Sequence, residues 1–407
     1  MARDADILIV GGGLNGPCLA LALAEGGFSS LVVDRHSIGA RAADRFDGRS
    51  YALALASIRL LAALGLWDAL EKKAQPILKI IASDGRAGEG PAPFVLQFDH
   101  AEIEDGPMGH MLEDRFLRQV LLAAMAANPL VTHRAGARVV AQQTGAGAAI
   151  TLADGEVLTG RLLIGADGRH SGTAARAGVT RTGRYYGQTA LVCAIGHEIP
   201  HNGIAHQVFL PPGPLAILPL PGNRSAIVWG ETTEAAARIH ALDDRGYLAA
   251  LRPRFGAFLG KIALEGVRFT YPLSLSLANR LVAPNLALVG DAAHALHPIA
   301  GQGLNLGLRD VGALAQVLTD AKRRGEDFGA LDVLERYQTW RRFDAAALAV
   351  ATDAVNALFS NDNPALRLGR DLGMGMVNAI PVLRRRFIRE AAGLTGDLPR
   401  LLQGHPL

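Results

Sequence analysis

The sequence predicts a mixed α/β fold, in which a Rossmann-like domain is interrupted by an antiparallel β-sheet and followed by a helical C-terminal region. Three observations predict it. The chain begins with a strand, a glycine-rich turn, a helix and a second strand, which is the start of a parallel sheet. Between Tyr185 and Tyr271, short apolar runs are separated by proline and glycine, as in an antiparallel sheet. From Leu331 onwards the pattern is helical.

The composition is that of an ordinary globular protein. Of the 407 residues, 49% are hydrophobic and 19% are charged, which excludes a disordered chain. A net charge of only +3, without a basic block interleaved with aromatics, argues against nucleic acid as a partner. The two cysteines, Cys18 and Cys193, are too few for a disulfide framework or a cysteine-rich metal site, and no metal is expected. So few cysteines suit the reducing cytoplasm.

An uncharged run of 18 residues, from Ile7 to Ala24, has the length of a membrane span. Four glycines and Pro17 lie inside it, which excludes one continuous helix. The run is therefore read as a buried strand (Ile7 to Val10), a turn, and a helix (Leu14 to Glu25). We expect a soluble, cytoplasmic protein.

The first turn carries the spacing Gly11-x-Gly13-x-x-Gly16, and Asp34 ends the second strand 18 residues after Gly16. In this motif one glycine makes the tight turn, one lets the backbone approach a pyrophosphate, and one lets helix and strand pack closely. The helix N-terminus offers free N–H groups to the phosphates, and the acid can bind a ribose. The motif predicts a dinucleotide site without separating FAD from NAD.

Two later turns have the same character. The first carries Asp167 and Gly168 after a buried strand, and the second carries Asp291. The second is followed by Pro298 and by Gly301-Gln302-Gly303-Leu304-Asn305 at the start of a long helix. An acid at a strand end can bind a polyol, and a helix N-terminus can stabilise negative charge.

With these residues in place, the chain resembles the aromatic flavoprotein monooxygenases of the p-hydroxybenzoate hydroxylase fold. Within them it is most similar to the ubiquinone-biosynthesis FAD-dependent hydroxylases, especially those that act on 2-polyprenyl-6-methoxyphenol. The resemblance runs nearly from end to end. Its blocks are residues 46–53, 113–115, 165–168, 187–188, 213–219, 271–273 and 290–310, of which 297–307 is the most specific.

The resemblance implies that FAD is tightly bound and that NADPH or NADH is a transient co-substrate. The residues implied to contact the adenosine, phosphate and ribityl parts of FAD are Gly11, Gly13, Gly16, Asp34, Arg49, Arg115, Asp167, Gly168 and Asp291. Those implied to lie at the flavin ring are Pro298, Gly301, Gly303, Leu304 and Asn305. No second nucleotide-binding motif is visible in the sequence, which fits the family.

The resemblance also implies the reaction and the division of the chain. The reaction is hydroxylation of an aromatic ring with O2, through a flavin C4a-hydroperoxide. The FAD-binding domain is expected to comprise residues 1–75, 109–182 and 276–345, the substrate domain 76–108 and 183–275, and the helical region 346–407. His297 and Pro298 are the catalytic candidates, with His294 and His110 as further candidates for proton handling. A loop histidine with a structural hydrogen bond is the alternative for each histidine.

The substrate is expected to be a polyprenylated phenol. The strands from Gln207 to Asn223 contain no ionisable residue that could pair with a substrate carboxylate. The apolar residues counted as pocket lining are Val208, Phe209, Leu210, Leu215, Ile217, Leu218 and Leu220. The alternative is that these side chains face the domain core. A soluble phenol or hydroxybenzoate, a prenyl reduction without oxygen, and a non-catalytic flavin-holding subunit remain open readings.

The C-terminal region is rich in arginine. From Asn361 it has seven arginines against four acids, interleaved with apolar residues. This pattern predicts peripheral contact with the inner face of a membrane, and packed helices with a solvated face are the alternative. Association with a ubiquinone-biosynthesis complex and formation of a homo-oligomer are further expectations from the resemblance.

Overall fold

The computed structural model describes residues 3–44, 46–88, 90–296, 301–359 and 364–407. The first third of the chain contains these elements in order: β1 (Ile7–Val10), α1 (Asn15–Glu25), β2 (Ser30–Asp34), α2 (Ile38–Arg41), β3 (Ser50–Ala54), α3 (Leu55–Ala63), α4 (Trp67–Leu70), β4 (Gln75–Ile77), β5 (Lys79–Arg86), β6 (Gly90–Asp99), β7 (Gly109–Glu113) and α5 (Asp114–Ala127).

The middle of the chain is mostly β-structure. It contains β8 (Val131–Ala135), β9 (Val139–Thr144), β10 (Ala148–Leu152), β11 (Val157–Gly160), β12 (Leu162–Gly165), α6 (Gly172–Arg176), β13 (Arg181–His197), β14 (Ile204–Leu210), β15 (Gly213–Leu220), β16 (Arg224–Thr232), α7 (Thr233–His240), α8 (Asp244–Phe255) and β17 (Ile262–Ala278). The remainder contains β18 (Val282–Ala283), β19 (Leu286–Leu288), β20 (His294–Ala295), α9 (Gln302–Arg323), α10 (Leu331–Phe359), α11 (Pro364–Ala379) and α12 (Pro381–Ala391).

A six-stranded sheet in the order β18-β19-β12-β1-β2-β8 forms the centre of the first domain. The five strands from β19 to β8 are parallel, and β18 is antiparallel. All four residues of β1 are buried, as expected for a central parallel strand whose two faces are covered. Helices α1 and α9 pack against each other in this domain's core. The carboxyl ends of β1, β12 and β19 therefore bring the three glycine- and acid-containing turns to one edge of the sheet.

An eight-stranded sheet in the order β20-β17-β13-β16-β15-β14-β5-β6 forms the second domain. All its neighbouring strands are antiparallel except β14 and β5, which are parallel. One face carries Leu191, Ile227 and Trp229, which pack against Tyr247 and Leu251 of α8. The opposite face carries the alternate residues and turns towards the first domain. The predicted fold class is confirmed.

Two predictions from the sequence need correction. The spacing of apolar residues from Ser57 to Leu70 predicts a single helix, but α3 ends at Ala63 and α4 begins at Trp67. Gly65 adopts φ +68° between them, a conformation that an α-helix cannot contain. The glycine and proline content from Pro76 to Pro107 predicts loops and edge strands. Strand β6 is an edge strand of the large sheet, but β5 and β6 are longer than this pattern predicts.

The C-terminal helices pack on the edge of the large sheet. The guanidinium of Arg370 in α11 lies 2.7 Å from the carboxylate of Asp84 in β5, and both side chains are buried. In α12, Ile388 is buried in a cluster with Ile77 and Met111. None of the helices in the described ranges is both long and apolar enough to cross a bilayer.

Candidate cofactor and active site

The three motif glycines have different surroundings. A Cβ on Gly11, which has φ +120°, would lie 2.3 Å from the carbonyl oxygen of Ala166. A Cβ on Gly16 would lie 2.0 Å from the carbonyl oxygen of Gly11, so α1 packs directly on the end of β1. A Cβ on Gly13 would meet nothing within 4 Å. Gly11 and Gly16 are thus required by the fold, and Gly13 borders open space.

Asp34 lies directly beneath this turn, where a Cβ on Gly12 would come 2.5 Å from its carboxylate. It accepts hydrogen bonds from Arg41 Nε at 2.6 Å and from the backbone N–H of His36 at 3.1 Å. Burial would raise the pKa of Asp34, but these bonds and the Arg41 charge hold it below its usual range. Asp34 is therefore ionised, and a carboxylate with several lone-pair sites can accept further bonds.

The side chain of Asn15, at the start of α1, joins three segments. A Cβ on Gly290 would come 2.1 Å from the side-chain amide nitrogen of Asn15, and a Cβ on Gly307 would come 2.5 Å from the same atom. The glycine turn, the turn that carries Asp291, and the first turns of α9 therefore meet at Asn15. Its buried Oδ1 has no hydrogen-bond partner in the described parts of the chain.

Asp291 follows in the second turn, and its carboxylate accepts no hydrogen bond from any residue that the structure describes. The turn itself is held by Arg181, which donates to the carbonyl oxygen of Asp291 at 3.1 Å. Burial raises the pKa of Asp291, although the nearby charges of Arg169, His294 and Arg181 favour its carboxylate form. A nearly buried acid without a donor is an acceptor site for hydroxyl groups.

A network around Asp310 fixes that turn, and sequence reasoning missed it. Asp310 is fully buried in α9 and accepts a hydrogen bond from Gly290 N at 2.9 Å. His294 Nε2 lies 2.7 Å from the same carboxylate, and Arg341 Nε donates to it at 2.8 Å. Burial would raise the pKa of Asp310, but His294 and Arg341 hold it below its usual range. The available signal was an acid that follows Arg309 within the largely apolar stretch from Leu306 to Leu314.

The N-terminus of α9 faces the same region. Gly301 precedes the helix with φ +65°, and a Cβ there would lie 3.2 Å from Cβ of Ala52. Gly303 borders open space. The side chain of Asn305 accepts from Ala54 N at 2.9 Å and donates to Ala52 O at 2.9 Å, so it ties α9 to β3. The first N–H groups of α9, which include those of Gly303 and Leu304, have no acceptor inside the helix.

Asp167 and Gly168 lie beside Gly11, at the end of β12. The carboxylate of Asp167 accepts from the backbone N–H and the hydroxyl of Thr173, both at 3.0 Å, and from Ser171. These bonds cap α6 and give Asp167 a local structural role. Gly168 adopts φ +83° with no atom near its missing side chain, so the turn requires glycine there. Their part in cofactor binding stays a prediction.

Arg49 and Arg115 lie where β3 and β7 pair. Arg49 is about half exposed and binds Asp47 at 2.5 Å and the buried Asp114 at 3.2 Å. Arg115 donates to Glu113 at 2.8 Å and to the carbonyl oxygen of Asp44 at 2.6 Å. Each guanidinium has five N–H donors, so both keep donors for a phosphate or a ribityl hydroxyl.

The histidines that were candidates for catalysis or proton handling have different surroundings. His297 and Pro298, the predicted catalytic residues, lie outside the described residues. His294 is engaged with Asp310, which favours a structural role. The ring of His110 lies 5.2 Å from that of Trp67, and burial lowers its pKa to about 4, so it is neutral at physiological pH.

These features fit FAD. Open space in front of Gly13, a carboxylate without donors at Asp291 and two helix N-termini meet around the unpartnered oxygen of Asn15. The glycine turn and α1 would hold the pyrophosphate, and Asp291 would accept from the ribityl hydroxyls. The N-terminus of α9 would face the flavin ring, which supplies the redox chemistry when FAD is bound.

The glycines provide a first test. We expect Gly13→Val to fold and to lose FAD, because the new side chain enters open space that the pyrophosphate would fill. Gly16→Val is expected to unfold the domain, because its side chain would overlap the Gly11 carbonyl. Thermal unfolding and flavin absorbance of each purified variant separate these effects. Cys18→Ala, in the same helix but facing the core, is the control. Full FAD occupancy in Gly13→Val would contradict the assignment.

Asp291 provides a second test. Asp291→Ala should weaken FAD binding roughly 5- to 150-fold, because losing the acceptor of buried hydroxyls costs about 1–3 kcal/mol. Titration of the apo-protein with FAD, followed by flavin fluorescence, measures this change. The exposed Asp68→Ala is a matched control and should bind FAD normally. Equal affinities for the two variants would remove Asp291 from the site.

Comparison with known proteins agrees with this geometry. The FAD binding domain family matches residues 4–352. The ubiquinone hydroxylase UbiL of Rhodospirillum rubrum is 46% identical, and the match covers 100% of this chain and 94% of that protein. The 3-demethoxyubiquinol 3-hydroxylase of Escherichia coli is 35% identical over 96% of this chain and 99% of its own.

The fold is shared more widely. The crystal structure of p-nitrophenol 4-monooxygenase PnpA from Pseudomonas putida superposes with a TM-score of 0.80, at 20% identity, over 97% of this chain and 99% of that one. At that identity the likeness concerns the fold alone. With the family match and the two full-length relatives, the resemblance predicted from the sequence is confirmed. The chain belongs to the ubiquinone-biosynthesis FAD-dependent hydroxylases, and it is an FAD-dependent monooxygenase of that family.

Proposed function

We propose that this enzyme hydroxylates the ring of a membrane-resident polyprenylated phenol, with NADPH or NADH as reductant and O2 as oxidant. The first candidate substrate is 2-polyprenyl-6-methoxyphenol. A different ring position in the same pathway is the second candidate, because the E. coli relative is a 3-demethoxyubiquinol hydroxylase. The observation that carries the proposal is a row of six apolar side chains and one glutamine across the large sheet.

The row lies on the sheet face that turns towards the first domain. Each member pairs directly with the next on the neighbouring strand, from β17 to β6. We call it the apolar row, and it consists of Phe269, Val192, Val228, Ala216, Gln207, Ala82 and Leu96. None of the seven side chains is ionisable. Six steps between strands give the row a length of about 29 Å.

Other elements pack on parts of the two neighbouring rows, while most members of the apolar row stay accessible. On one side, Phe209 stacks on Phe359 of α10 with ring centroids 4.1 Å apart. On the other side, Ala194 and Ala226 are buried in the cluster that contains Met111. Between them, five of the seven members of the apolar row are only half-buried. We infer a cleft along the row, with the length and polarity that suit an isoprenoid tail.

This cleft corrects the pocket predicted from the sequence. Val208, Leu210, Leu215 and Ile217 point to the other face of the sheet and fill the core under α8. The cleft is lined by the residues between them, because side chains alternate along a strand. Like the residues first predicted, the apolar row contains no cation that could pair with a substrate carboxylate.

The inner end of the row adjoins the segments that carry the cofactor residues. Val192 and Phe269 cluster with Tyr271, and the Phe269 ring would lie 3.2 Å from a Cβ on Gly48. Burial raises the pKa of Tyr271 to about 12, so its hydroxyl stays protonated and can donate to a phenolic oxygen. We assign Tyr271 the orientation of the substrate ring. The apolar walls exclude water from the reacting centre.

A pair of substrates tests the proposal. Two phenols with the same ring, one with and one without a prenyl tail, are given to the purified holoenzyme with NADPH or NADH. We expect tight coupling of reductant oxidation to hydroxylated product with the tailed phenol, because the apolar row holds its tail. Efficient, coupled turnover of a hydroxybenzoate and not of the tailed phenol would contradict the proposal.

A charge in the row sharpens the test. Ala216→Asp should raise KM for the tailed phenol roughly tenfold or more, because a buried charge without a partner is costly beside an apolar tail. Ala216→Asn is the matched control, because asparagine has the size and shape of aspartate without its charge, and both variants should keep their FAD. If Ala216→Asp leaves the selectivity for the tailed phenol unchanged, the row is not its binding site.

A further inference from the structure

The corner between α11 and α12 presents an exposed surface of mixed character. Val382, Arg385, Arg386 and Arg389 recur at the spacing that places side chains on one helix face, and all four are exposed. Val382 has 68% of its side chain accessible. The adjoining exposed apolar residues are Met376 near the end of α11, Ile380 between α11 and α12, and Phe387 in α12. We call these seven residues the α11–α12 corner.

The structure separates these arginines from others nearby in the sequence. Arg370 is buried against Asp84, Arg384 binds Glu102 at 2.7 Å, and Arg400 pairs with Asp320. These three hold the C-terminal helices to the rest of the protein.

The arginines of the corner are different. Arg385 and Arg386 have no acidic partner among the residues that the structure describes, and Arg389 lies 3.9 Å from Asp105. Glu390 is the one acid within α12. The corner therefore carries positive charge around exposed apolar side chains.

The corner is firmly attached to the substrate domain. Ile388, on the inner side of α12, is fully buried, and Phe387 stacks on Phe98 of β6 with ring centroids 6.1 Å apart. The backbone N–H of Gln97 donates to Asn378 of α11 at 3.1 Å. Whatever binds the corner is thus held in a fixed orientation relative to β6.

That strand carries the outer end of the apolar row. Leu96, the last member of the row, immediately precedes Gln97. Gln97 donates to Asn378, which stands between Met376 and Ile380 in the sequence. A tail that leaves the cleft past Leu96 would emerge beside the exposed apolar side chains of the corner.

We propose that the α11–α12 corner docks the enzyme on an anionic lipid bilayer and presents the outer end of the apolar row to the lipid. Arginine side chains at the rim bind the headgroup phosphates, while Val382, Ile380, Met376 and Phe387 enter the interface, as in other basic amphipathic helices. The purpose of the docking rests on the proposed function, but the lipid binding itself does not. Arg384 is left out of the corner, because reversing its charge would break its bond to Glu102.

The test uses the full-length, FAD-loaded protein and vesicle flotation. Vesicles of phosphatidylcholine alone are compared with vesicles containing phosphatidylglycerol, at low and at physiological salt. We expect binding to the anionic vesicles, weakened by salt. Arg385→Glu/Arg386→Glu should reduce this binding roughly a hundredfold or more, since each basic residue near an anionic surface contributes about fivefold and reversal adds repulsion.

A matched variant controls for net charge. Arg238→Glu/Arg245→Glu reverses two exposed arginines on α7 and α8, on the other side of the large sheet, and should bind vesicles as the wild type does. Val382→Asp should also weaken binding, because it places a charge where an apolar side chain enters the bilayer. Absence of wild-type binding to anionic vesicles, or equal loss in the two double variants, would overturn the proposal.

Activity separates this proposal from the proposed function. With the tailed phenol supplied in vesicles, Arg385→Glu/Arg386→Glu should raise KM, and with the same phenol in detergent the KM should not change. If the wild type binds anionic vesicles through the corner but turns over no tailed phenol in either form, the proposed function fails and the docking surface stands.

Discussion

The buried carboxylate of Asp310 is the interaction on which the arrangement of the site depends. An ionised acid without contact to solvent is stable only when donors surround it, and here they come from three elements. Gly290 N belongs to the turn of Asp291, His294 belongs to the strand that joins the two sheets, and Arg341 belongs to α10. Because Asp310 needs all of them, the end of β19, the start of α9 and α10 are fixed relative to one another. Removing one partner would leave a charge unpaired. A substitution here would therefore disturb the edge of the parallel sheet where the three turns meet.

The two faces of the large sheet have different surroundings. One face is filled by Trp229, Leu215, Tyr247 and their neighbours, and it stabilises the domain. The other face has small side chains at its centre, such as Ala216 and Ala82, so that a ligand rather than a core can lie against it. In the proposed function this face also binds the substrate, and the C-terminal helices pack on the edge of the sheet where the apolar row ends.

Local sequence signals predicted the parallel sheet and its turns. Strand β1 occurs at its predicted bounds, because a buried apolar run between a charged segment and a glycine turn leaves little freedom. Contacts between residues that are far apart in the sequence could not be predicted from local patterns. Asp84 and Arg370 are 286 residues apart, and Asp310 and Arg341 are 31 apart, so their pairing appears only in the folded chain. The alternation of side chains along β14 and β15 assigns the residues to two faces, but it does not tell which face turns towards the first domain. The roles predicted for single cofactor residues stay predictions, although the structure brings the segments around Asn15 together.

The most direct measurement of the central claim is a profile of quinone-pathway intermediates in a strain that lacks this protein. The strain should contain no second hydroxylase for the same ring position, or should have it deleted as well. We expect an under-hydroxylated prenylphenol to accumulate and ubiquinone to fall, with both restored by the wild-type gene and not by an FAD-free Gly13→Val form. Normal ubiquinone without any accumulated prenylphenol would contradict the account.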